Sequence, residues 1–297
     1  MKSVFIILLN YKGVEDTLEC VESLEKVNYK SYEIVIVDNN SPDDSYERLK
    51  SQLSHKHHVI KSGKNGGFAF GNNVGIDYAL KRGADYVLLI NNDTTVEPNF
   101  LEELIISIER DESYGLATGL MLNYYQQDTI WFNGGVLDYN KFYGYHLNEG
   151  DKLSIVQKED DFYEEKEISF ATGCLMLIKA EVFRKIGYLP EEYFMYYEDV
   201  DFCAKLADNG YKIIYNPRSV IYHKISNSSG EAESPFAIEW NTRNRLKFMM
   251  KYKEKVSYRR YIRAAIFFYI TRVIKYLQYL IKGRNDKAKA LIKGLSG

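Results

Sequence analysis

Three carboxylates, Glu198, Asp199 and Asp201, lie within four residues of one another, between a run of aromatic residues and an apolar helical segment. Carboxylates this close repel one another and burial disfavours their charged form, so at least one pKa should be raised. A carboxylate with a raised pKa suits general base catalysis near neutral pH. Acidic residues in the first turn of a helix also interact favourably with its dipole. The segment therefore predicts either a catalytic base or an acidic helix start.

Three apolar runs that are typical of buried strands end in polar residues: Val4–Leu9, Tyr32–Val37 and Tyr86–Ile90. They alternate with segments of helical periodicity, which predicts an α/β fold with a mostly parallel central sheet and flanking helices. Ligands in such folds bind beyond the carboxyl ends of the strands. The polar residues at those ends are Asn10, then residues 38–40, then residues 91–94. We therefore expect a ligand site along that edge.

The second half of the chain has a different pattern. We expect one buried strand over Ile168–Ile178, two short strands over Lys212–Tyr215 and Val220–His223, and hairpins and loops over residues 123–167. Internal repeats and low-complexity linkers are absent from the sequence. One domain with a C-terminal helical appendage is the expected organisation.

A glycine-rich segment, residues 64–75, holds four glycines and three asparagines. Glycines let the backbone approach a ligand closely, and a helix that begins here points free N–H groups at an anion. The segment matches neither the phosphate-binding loop of nucleotide hydrolases nor the Gly-x-Gly-x-x-Gly pattern of dinucleotide-binding folds. A glycine-rich turn with asparagine caps is the structural alternative.

Residues 91–94 (Asn-Asn-Asp-Thr) offer a single carboxylate, Asp93, beside amide and hydroxyl groups. Such oxygens suit a hard divalent cation that also binds phosphate, although a strand-ending turn has the same composition. His223 is a further candidate metal ligand or a structural strand-end histidine. Arg243 could bind a phosphate, because a guanidinium group matches phosphate oxygens, or could be an exposed helix charge.

The net charge of −2 predicts no nucleic-acid partner and hides a marked asymmetry. Residues 245–297 hold 15 of the 39 basic residues and two acids, so this tail carries +13 while residues 1–244 carry −15. Such asymmetry indicates an anionic surface or partner for the basic end.

The three widely spaced cysteines predict reduced thiols and a cytoplasmic protein. The sequence lacks 18 uninterrupted apolar residues, so we expect no transmembrane helix.

Taken in order, the motifs resemble the family 2 glycosyltransferases, especially the bacterial rhamnosyltransferase-like members that build O-antigen and capsule. The matching motifs span about residues 3–250 and include Val-Asp-Asn-Asn-Ser, Leu-Ile-Asn-Asn-Asp-Thr and Tyr-Tyr-Glu-Asp-Val-Asp. The resemblance implies a GT-A type, Rossmann-like domain over residues 1–250. The charge and spacing of the remaining residues, 251–297, predict a basic amphipathic helical extension. The resemblance also implies inverting transfer of rhamnose or another hexose from a nucleotide-diphosphate sugar to a glycan or polyprenyl-linked acceptor, with Mg²⁺ or Mn²⁺ as cofactor.

The same resemblance assigns roles to individual residues. Asp199 matches the catalytic base, and Glu198 would orient it or hold the acceptor. Asp93 matches the last position of the family's Asp-x-Asp metal motif, whose first acid is replaced here by Asn91, and His223 falls where many GT-A enzymes place a metal-binding histidine. The residues expected to bind the donor are Asn10, Asp38, Asn40, Asn65, Gly67, Phe68, Gly71, Asn72, Asn91 and Arg243.

Two other functions share parts of this pattern. A nucleotidyltransferase that makes nucleotide sugars has a similar sheet and acidic metal site, but should carry a basic glycine-rich loop near the first strand. Residues 10–13 provide one lysine and one glycine there. A catalytically inactive scaffold of a polysaccharide assembly complex would keep the fold without needing Asp93, Asp199 and His223.

Apolar residues recur at helical spacing over Tyr258–Ile281, with basic residues among them. Such a helix either packs on the catalytic domain or on a second subunit of a homodimer, or lies on the anionic inner face of the plasma membrane. The membrane hypothesis predicts a peripheral protein whose residues 256–297 contact lipid.

Overall fold

The computed structural model describes residues 1–224 and 234–296. The strands are β1 (Val4–Asn10), β2 (Tyr32–Asp38), β3 (His58–Lys61), β4 (Tyr86–Asn91), β5 (Thr94–Val96), β6 (Tyr114–Asn123), β7 (Ile130–Phe132), β8 (Gly135–Asp138), β9 (Tyr143–His146), β10 (Lys166–Ile168), β11 (Leu175–Lys179) and β12 (Lys212–His223). The helices are α1 (Val14–Leu24), α2 (Ser45–Leu53), α3 (Gly67–Lys81), α4 (Phe100–Ile108), α5 (Leu153–Val156), α6 (Ala180–Ile186), α7 (Glu198–Asp208), α8 (Pro235–Lys251), α9 (Tyr258–Ile281) and α10 (Asn285–Leu295), and a 3₁₀ turn at Lys253–Lys255 follows α8.

One ten-stranded mixed sheet forms the centre of the described chain. Its order is β10-β12-β6-β11-β4-β1-β2-β3, with β5 paired to β12 and β7 paired to β6. Strands β1, β2, β3, β4, β6 and β12 run in one direction, and the others run against them. Strands β8 and β9 form a separate antiparallel hairpin. The predicted α/β fold with mostly parallel strands is confirmed.

Both faces of the sheet are covered, which explains why its central strands are apolar at every position. In β1, Val4, Ile6 and Leu8 join the core beneath α1, α2 and α4, whereas Phe5 and Ile7 join the core on the opposite face, beneath α3, α6, α7 and α8. Burial on two sides fixes the ends of the strands against one another.

The carboxyl ends of the parallel strands lie along one edge of the sheet. Asn10 at the end of β1 is in register with Asp38 at the end of β2, and β4 ends at Asn91 on the other side of β1. His223 at the end of β12 is in register with Thr94 of β5. The fold therefore brings the polar strand ends together, as the sequence predicts.

The single strand predicted over Ile168–Ile178 is wrong. Strand β10 ends at Ile168 and β11 begins only at Leu175, and the irregular segment between them contacts α7. Its Ala171 N–H donates to the Cys203 thiol, and its Gly173 N–H donates to Asp199. An apolar run looks the same in a sequence whether it is a buried strand or a buried loop.

The two short strands predicted over Lys212–Tyr215 and Val220–His223 are parts of one strand, β12. Its pairing with β6 shifts register between Asn216 and Val220, so the irregularity that separates the two apolar runs does not end the strand. The hairpins and loops predicted over residues 123–167 are present as β7, β8, β9 and α5.

The C-terminal helices pack on the main domain. Helix α10 lies along α8 over a small apolar cluster that includes Ile238 and Leu291. Phe268 of α9 is fully buried in the same core as Phe248 of α8. The predicted boundary between residues 250 and 251 falls in the last turn of α8, and a separate unit over 251–297 stays a prediction.

Candidate active site

Asn10 and Asp38 form the buried floor of the site at the ends of β1 and β2. The Asn10 side-chain amide donates to Asp38 Oδ2 over 2.8 Å. Ser41 donates to the same carboxylate through its backbone N–H over 2.9 Å and its hydroxyl over 2.7 Å. Both Asn10 and Asp38 are fully buried, and Asn40 next to them is exposed with a left-handed φ of 58°. The hydrogen bonds to Asp38 therefore fix the floor, whereas Asn40 is exposed to solvent.

Asn39 links this floor to the glycine-rich segment. Its side-chain amide donates to Asn65 Oδ1 over 3.2 Å and to the Gly67 carbonyl over 3.1 Å. A Cβ on Gly71 would approach Leu9 of β1 to 2.3 Å and Asn39 Oδ1 to 3.1 Å, so only glycine lets α3 pack this close. The segment predicted to hold the nucleotide thus lies directly beside the ends of β1 and β2.

Gly67 joins the glycine-rich segment to the acidic motif. It has a φ of 91°, and a Cβ there would lie 2.0 Å from the Phe194 carbonyl oxygen. The Phe68 N–H donates to that oxygen over 2.9 Å. The Phe68 ring lies against Gly173, which in turn contacts Asp199. Asn72, in the first turns of α3, donates to the Phe68 carbonyl and is buried.

Asp93 and His223 meet at the opposite side of the strand ends. His223 Nε2 lies 3.2 Å from Asp93 Oδ1, and both side chains are buried. The Trp131 ring packs on the His223 imidazole with centroids 4.3 Å apart. Strand β5 sets this approach, because its pairing with β12 brings His223 beside the residues that follow β4.

A carboxylate and an imidazole are suitable ligands for a divalent cation such as Mn²⁺. In residues 1–224 and 234–296, however, no group of three or more His, Cys, Asp or Glu side chains could hold a metal. His223 Nδ1 is buried and forms no hydrogen bond within that part of the chain. The donor set fits a cation that gains its remaining ligands from a bound phosphate and water.

Asp199 lies in the first turn of α7 and is mostly buried, with part of its surface accessible. Its carboxylate accepts a hydrogen bond from the Gly173 N–H over 3.0 Å and from the Val200 N–H over 2.8 Å. Burial raises the pKa of Asp199, and these hydrogen bonds oppose the rise. A partly accessible carboxylate with a raised pKa can accept a proton from a hydroxyl group.

Glu198, the neighbour of Asp199, is buried, and its Oε2 has no hydrogen-bond partner among the described residues. Burial, followed by the charge of Asp199, raises the pKa of Glu198 well above its ordinary value. Two carboxyl groups this close favour one proton between them. We assign the proton to Glu198 because it is the more buried of the two.

Asp201 has a structural role. Its fully buried carboxylate accepts hydrogen bonds from Tyr193 over 2.8 Å, from Lys251 over 2.7 Å and from Tyr252 over 2.9 Å. These contacts tie α7 to the end of α8 and leave the carboxylate no access to a substrate. Of the three acidic residues in the motif, Glu198 and Asp199 remain candidates for chemistry.

Arg243 is held at the packing surface between α8 and α10. Its guanidinium donates to Glu239 over 3.2 Å and to the Lys293 carbonyl over 3.3 Å, and it lies over the Trp240 ring. The structure does not bring it to the Asp93–His223 pair. Its expected contact with a diphosphate stays a prediction.

Four contributors to this site were not among the sequence-predicted residues: Asn39, Trp131, Gly173 and Phe194. Asn39 lies between Asp38 and Asn40, which were both predicted to bind the donor, so its position in the sequence was a sufficient signal. Trp131 and Gly173 act through long-range packing, and Phe194 contributes a backbone carbonyl. For Trp131 the sequence carries no local signal, whereas Gly173 and Phe194 lie in the motifs Ala-Thr-Gly-Cys and Phe-Met-Tyr-Tyr, which belong to the family resemblance.

The sequence profile of "Glycosyl transferase family 2" matches residues 3–187. This chain belongs to that family. The low-salt glycan biosynthesis hexosyltransferase of Haloferax volcanii is 32% identical over 202 residues, covering 67% of this chain and 60% of the relative. A rhamnosyltransferase of Escherichia coli is 24% identical over 278 residues, covering 90% of this chain and 99% of the relative. The chain thus spans less than two thirds of the first relative and nearly all of the second.

A solved structure of a mannosyltransferase from Pyrobaculum calidifontis, in complex with GDP-Man and Mn²⁺, has the same fold. It superposes with a TM-score of 0.55 at 15% identity, over 99% of this chain and 86% of that one. The GT-A fold implied by the sequence motifs is confirmed.

Proposed function

We propose that the protein is a metal-dependent inverting glycosyltransferase. It transfers a hexose or deoxyhexose from a nucleoside-diphosphate sugar to a hydroxyl group of a growing surface glycan or a lipid-linked acceptor. The observation that carries this proposal is the arrangement of the Asp93–His223 pair, the glycine-rich segment and Asp199 around one edge of the sheet. Family membership and the hexosyl- and rhamnosyltransferase relatives support it.

We propose that the strand ends and the glycine-rich segment bind the donor. Asn40 and Asn65, beside the glycine-rich start of α3, would contact the base and ribose. The buried Asp38 carboxylate would orient Asn10 and Ser41 beneath them and would not contact the donor itself. Asp93 and His223 would hold the divalent cation, which when bound stabilises the negative charge of the diphosphate leaving group. The relative solved with GDP-Man and Mn²⁺ supports this cofactor class.

Asp199 acts as general base in this proposal. It accepts the proton of the acceptor hydroxyl as the hydroxyl oxygen attacks the anomeric carbon and the nucleoside diphosphate leaves from the opposite side. The backbone N–H groups of Gly173 and Val200 orient its carboxylate. Glu198, buried and protonated, keeps the charge at this point to a single carboxylate. One displacement inverts the anomeric configuration.

The alternatives are weaker. Membership in the family 2 glycosyltransferases disfavours a nucleotidyltransferase. An inactive scaffold has no need for a partly accessible carboxylate whose pKa burial raises. Hydrolysis or transfer of UDP-, dTDP- and GDP-sugars by the purified chain separates these possibilities.

Helix α9 supports attachment to a membrane surface. Its length and mean hydropathy, 1.2 over 18 residues, would suit a membrane-spanning helix, but Ala264, Phe268 and Tyr279 bury one face of it against the protein. The opposite face exposes large apolar side chains to solvent, among them Ile266, Ile270, Val273, Leu277 and Leu280. A helix packed on one side and apolar on the other suits the interface of a bilayer.

The charges at the ends of α9 favour an anionic surface over a second copy. Arg259, Arg260 and Arg263 precede the exposed apolar face, Lys282 and Arg284 follow it, and the helix contains no acidic residue. Pairing two copies along this face would bring basic residues together without a carboxylate to neutralise them. Phospholipid head groups provide that negative charge, at about 1 kcal/mol per basic residue. We therefore place the protein at the inner face of the plasma membrane.

Calorimetry of UDP, dTDP and GDP binding tests the donor site, with MnCl₂ or with EDTA. We expect tighter binding with Mn²⁺, and a roughly 10- to 100-fold loss of that gain in Asp93→Ala, because a charged ligand is removed. Asp77→Ala is the matched control, since Asp77 forms a surface ion pair with Lys81 in the same helix. Equal affinity with Mn²⁺ and EDTA, or an unaltered Asp93→Ala, would contradict the metal site.

A further inference from the structure

Two arginines near the candidate active site have no carboxylate partner among the described residues. Arg245 of α8 is buried and donates through Nε and Nη2 to the Lys141 carbonyl, over 3.1 and 2.7 Å. Arg272 of α9 is partly buried, and its Nε forms no hydrogen bond in the described part of the chain. Both guanidinium groups lie over the Phe268 ring, at 5.5 and 4.8 Å from its centroid. Across residues 1–224 and 234–296, neither is in an ion pair with Asp or Glu.

Such a pair is costly without an anion. A guanidinium group that packs against the protein loses part of its hydration. The two positive charges beside the Phe268 ring also repel each other. Burial and the charge of Arg245 both lower the pKa of Arg272. A dianionic ligand bound to both guanidinium groups would remove both costs, and it would accept from N–H groups such as Arg272 Nε, which has no partner among the described residues.

The arginine pair lies close to the candidate base. Burial raises the pKa of the Tyr143 phenol, and the positive charges of Arg245 and Arg272 oppose the rise. The negative charges of Glu149 and Asp199 also reach this phenol. Arg245 lies 5.5 Å from the centroid of the Tyr143 ring, and its neighbour Asn244 donates to the carbonyls of Met195 and Tyr196, just before Glu198 and Asp199.

The metal pair lies toward the other end of the same strand. Tyr143 begins β9, whereas His146 ends it and packs on Trp131, the ring that covers His223. Three residues of an extended strand span about 10 Å. The arginine pair and the proposed metal site at Asp93 and His223 are therefore separate places for a phosphate to bind, one at each end of β9.

We propose that Arg245 and Arg272 bind the phosphate or diphosphate group of a lipid-linked acceptor. The inference rests on the proposed function, because it requires an acceptor whose hydroxyl reaches Asp199. The donor diphosphate is already accounted for at the Asp93–His223 end. Arg272 lies four residues after Phe268, on the packed side of α9, and the opposite side of the same helix is the exposed apolar face. A phosphate bound by the arginine pair would therefore lie against the helix that we propose contacts the membrane.

The test measures binding of decyl diphosphate to the full-length protein by calorimetry, below its micelle concentration. UDP, dTDP or GDP, whichever binds most tightly, is present with MnCl₂ to fill the donor site. Arg272→Gln should weaken decyl diphosphate binding about 10- to 100-fold, the contribution of a charged hydrogen-bonding group. Arg184→Gln, which removes an exposed charge from α6, should leave it within about 2-fold.

Comparing decyl diphosphate, inorganic pyrophosphate and nucleotides shows whether the arginine pair binds the acceptor, the donor or neither. Decyl diphosphate should bind more tightly than inorganic pyrophosphate, and nucleotide affinity should be unchanged in Arg272→Gln. Wild-type decyl diphosphate affinity in Arg272→Gln overturns the proposal, as does equal binding of pyrophosphate and decyl diphosphate. Equal losses of nucleotide and decyl diphosphate binding would assign the pair to the donor. If nucleotides do not bind at all, the proposed function fails. The effect of Arg272→Gln on decyl diphosphate affinity still tests whether the arginine pair binds a phosphate.

Discussion

Replacing Asp199 with asparagine removes the candidate base while keeping its size and one carbonyl oxygen. That oxygen can still accept a hydrogen bond from Gly173 or Val200, so the start of α7 should be preserved. The amide cannot take a proton from the acceptor. We expect turnover to fall roughly 10²- to 10⁴-fold, the usual contribution of general base catalysis, with nucleotide affinity within about 2-fold of wild type.

The raised pKa gives this substitution two further signatures. A base works in its ionised form, so kcat/KM should fall with decreasing pH through the raised pKa of Asp199, above the 3.8 of an ordinary Asp, and this limb should be absent from any residual activity of the variant. The second concerns stability. A carboxyl whose folded pKa is raised binds protons more tightly in the folded state, so its ionisation destabilises the fold as pH rises from the unfolded to the folded pKa. Asp199→Asn should therefore have the higher Tm at neutral pH, with the difference lost near pH 3.

Glu198→Gln is the matched comparison. Because the pKa of Glu198 is raised well above its ordinary value, glutamine copies the neutral form already present. Its turnover should stay within about 10-fold of wild type, and its Tm at neutral pH should also rise. Near-normal turnover in Asp199→Asn with a large loss in Glu198→Gln would refute the assignment and make Glu198 the base. A lower Tm in both variants would refute the electrostatic argument.

Two further predictions concern the glycine-rich segment and α9. Gly67→Ala should lower nucleotide affinity and turnover together and cost at least about 1–2 kcal/mol of unfolding free energy, because its Cβ would clash with the Phe194 carbonyl at a left-handed φ. Chemical denaturation and calorimetry would measure both effects. Replacing Ile270 and Leu277 with serine should weaken co-sedimentation with anionic vesicles roughly 10- to 100-fold, since two exposed apolar side chains lose contact with lipid.

The Gly67→Ala variant and the α9 serine variant each have a matched control elsewhere in the chain. Gly63 has a φ of 85° with open space around it, so Gly63→Ala carries the backbone strain without the clash, and equal damage in both variants would refute the contact argument. Ile106 and Ile155 are exposed apolar residues outside α9, and their replacement with serine should leave vesicle binding unchanged. Loss of binding in that control, or no loss in the α9 variant, would reject α9 as the membrane contact.

The sequence was sufficient to predict the strand ends of the site, because local patterns specify them. Buried parallel strands are apolar at each position and stop at polar residues, so the pattern alone places Asn10, Asp38 and Asn91 at one edge of the sheet. The Asp93–His223 contact could be anticipated only through the family's motifs. It depends on β5 pairing with β12, and the two residues are far apart in sequence.

The remaining features depend on packing that no local pattern records. The segment that presents the Gly173 N–H to Asp199 has the composition of a buried strand, and only its contacts with α7 show otherwise. Arg243 has the pattern of an exposed helix charge until α10 packs beside α8 and takes its guanidinium. Arg245 and Arg272 come from different helices and meet over Phe268 because α9 packs against α8.

The backbone between the glycine-rich segment and Asp199 couples the proposed donor site to the candidate base. Tyr196 and Tyr197 both adopt left-handed φ angles, 67° and 76°, a conformation that costs about 1–3 kcal/mol for each residue. The side-chain amide of Asn244 offsets that cost by donating to the carbonyls of Met195 and Tyr196, over 2.8 and 2.9 Å. One residue earlier, the Phe194 carbonyl accepts from Phe68 at the start of α3. The strained turn at Tyr196 and Tyr197 is therefore held by α8 on one side and by the glycine-rich segment on the other. Because Asp199 follows this turn directly, we expect a shift of either element to move Asp199.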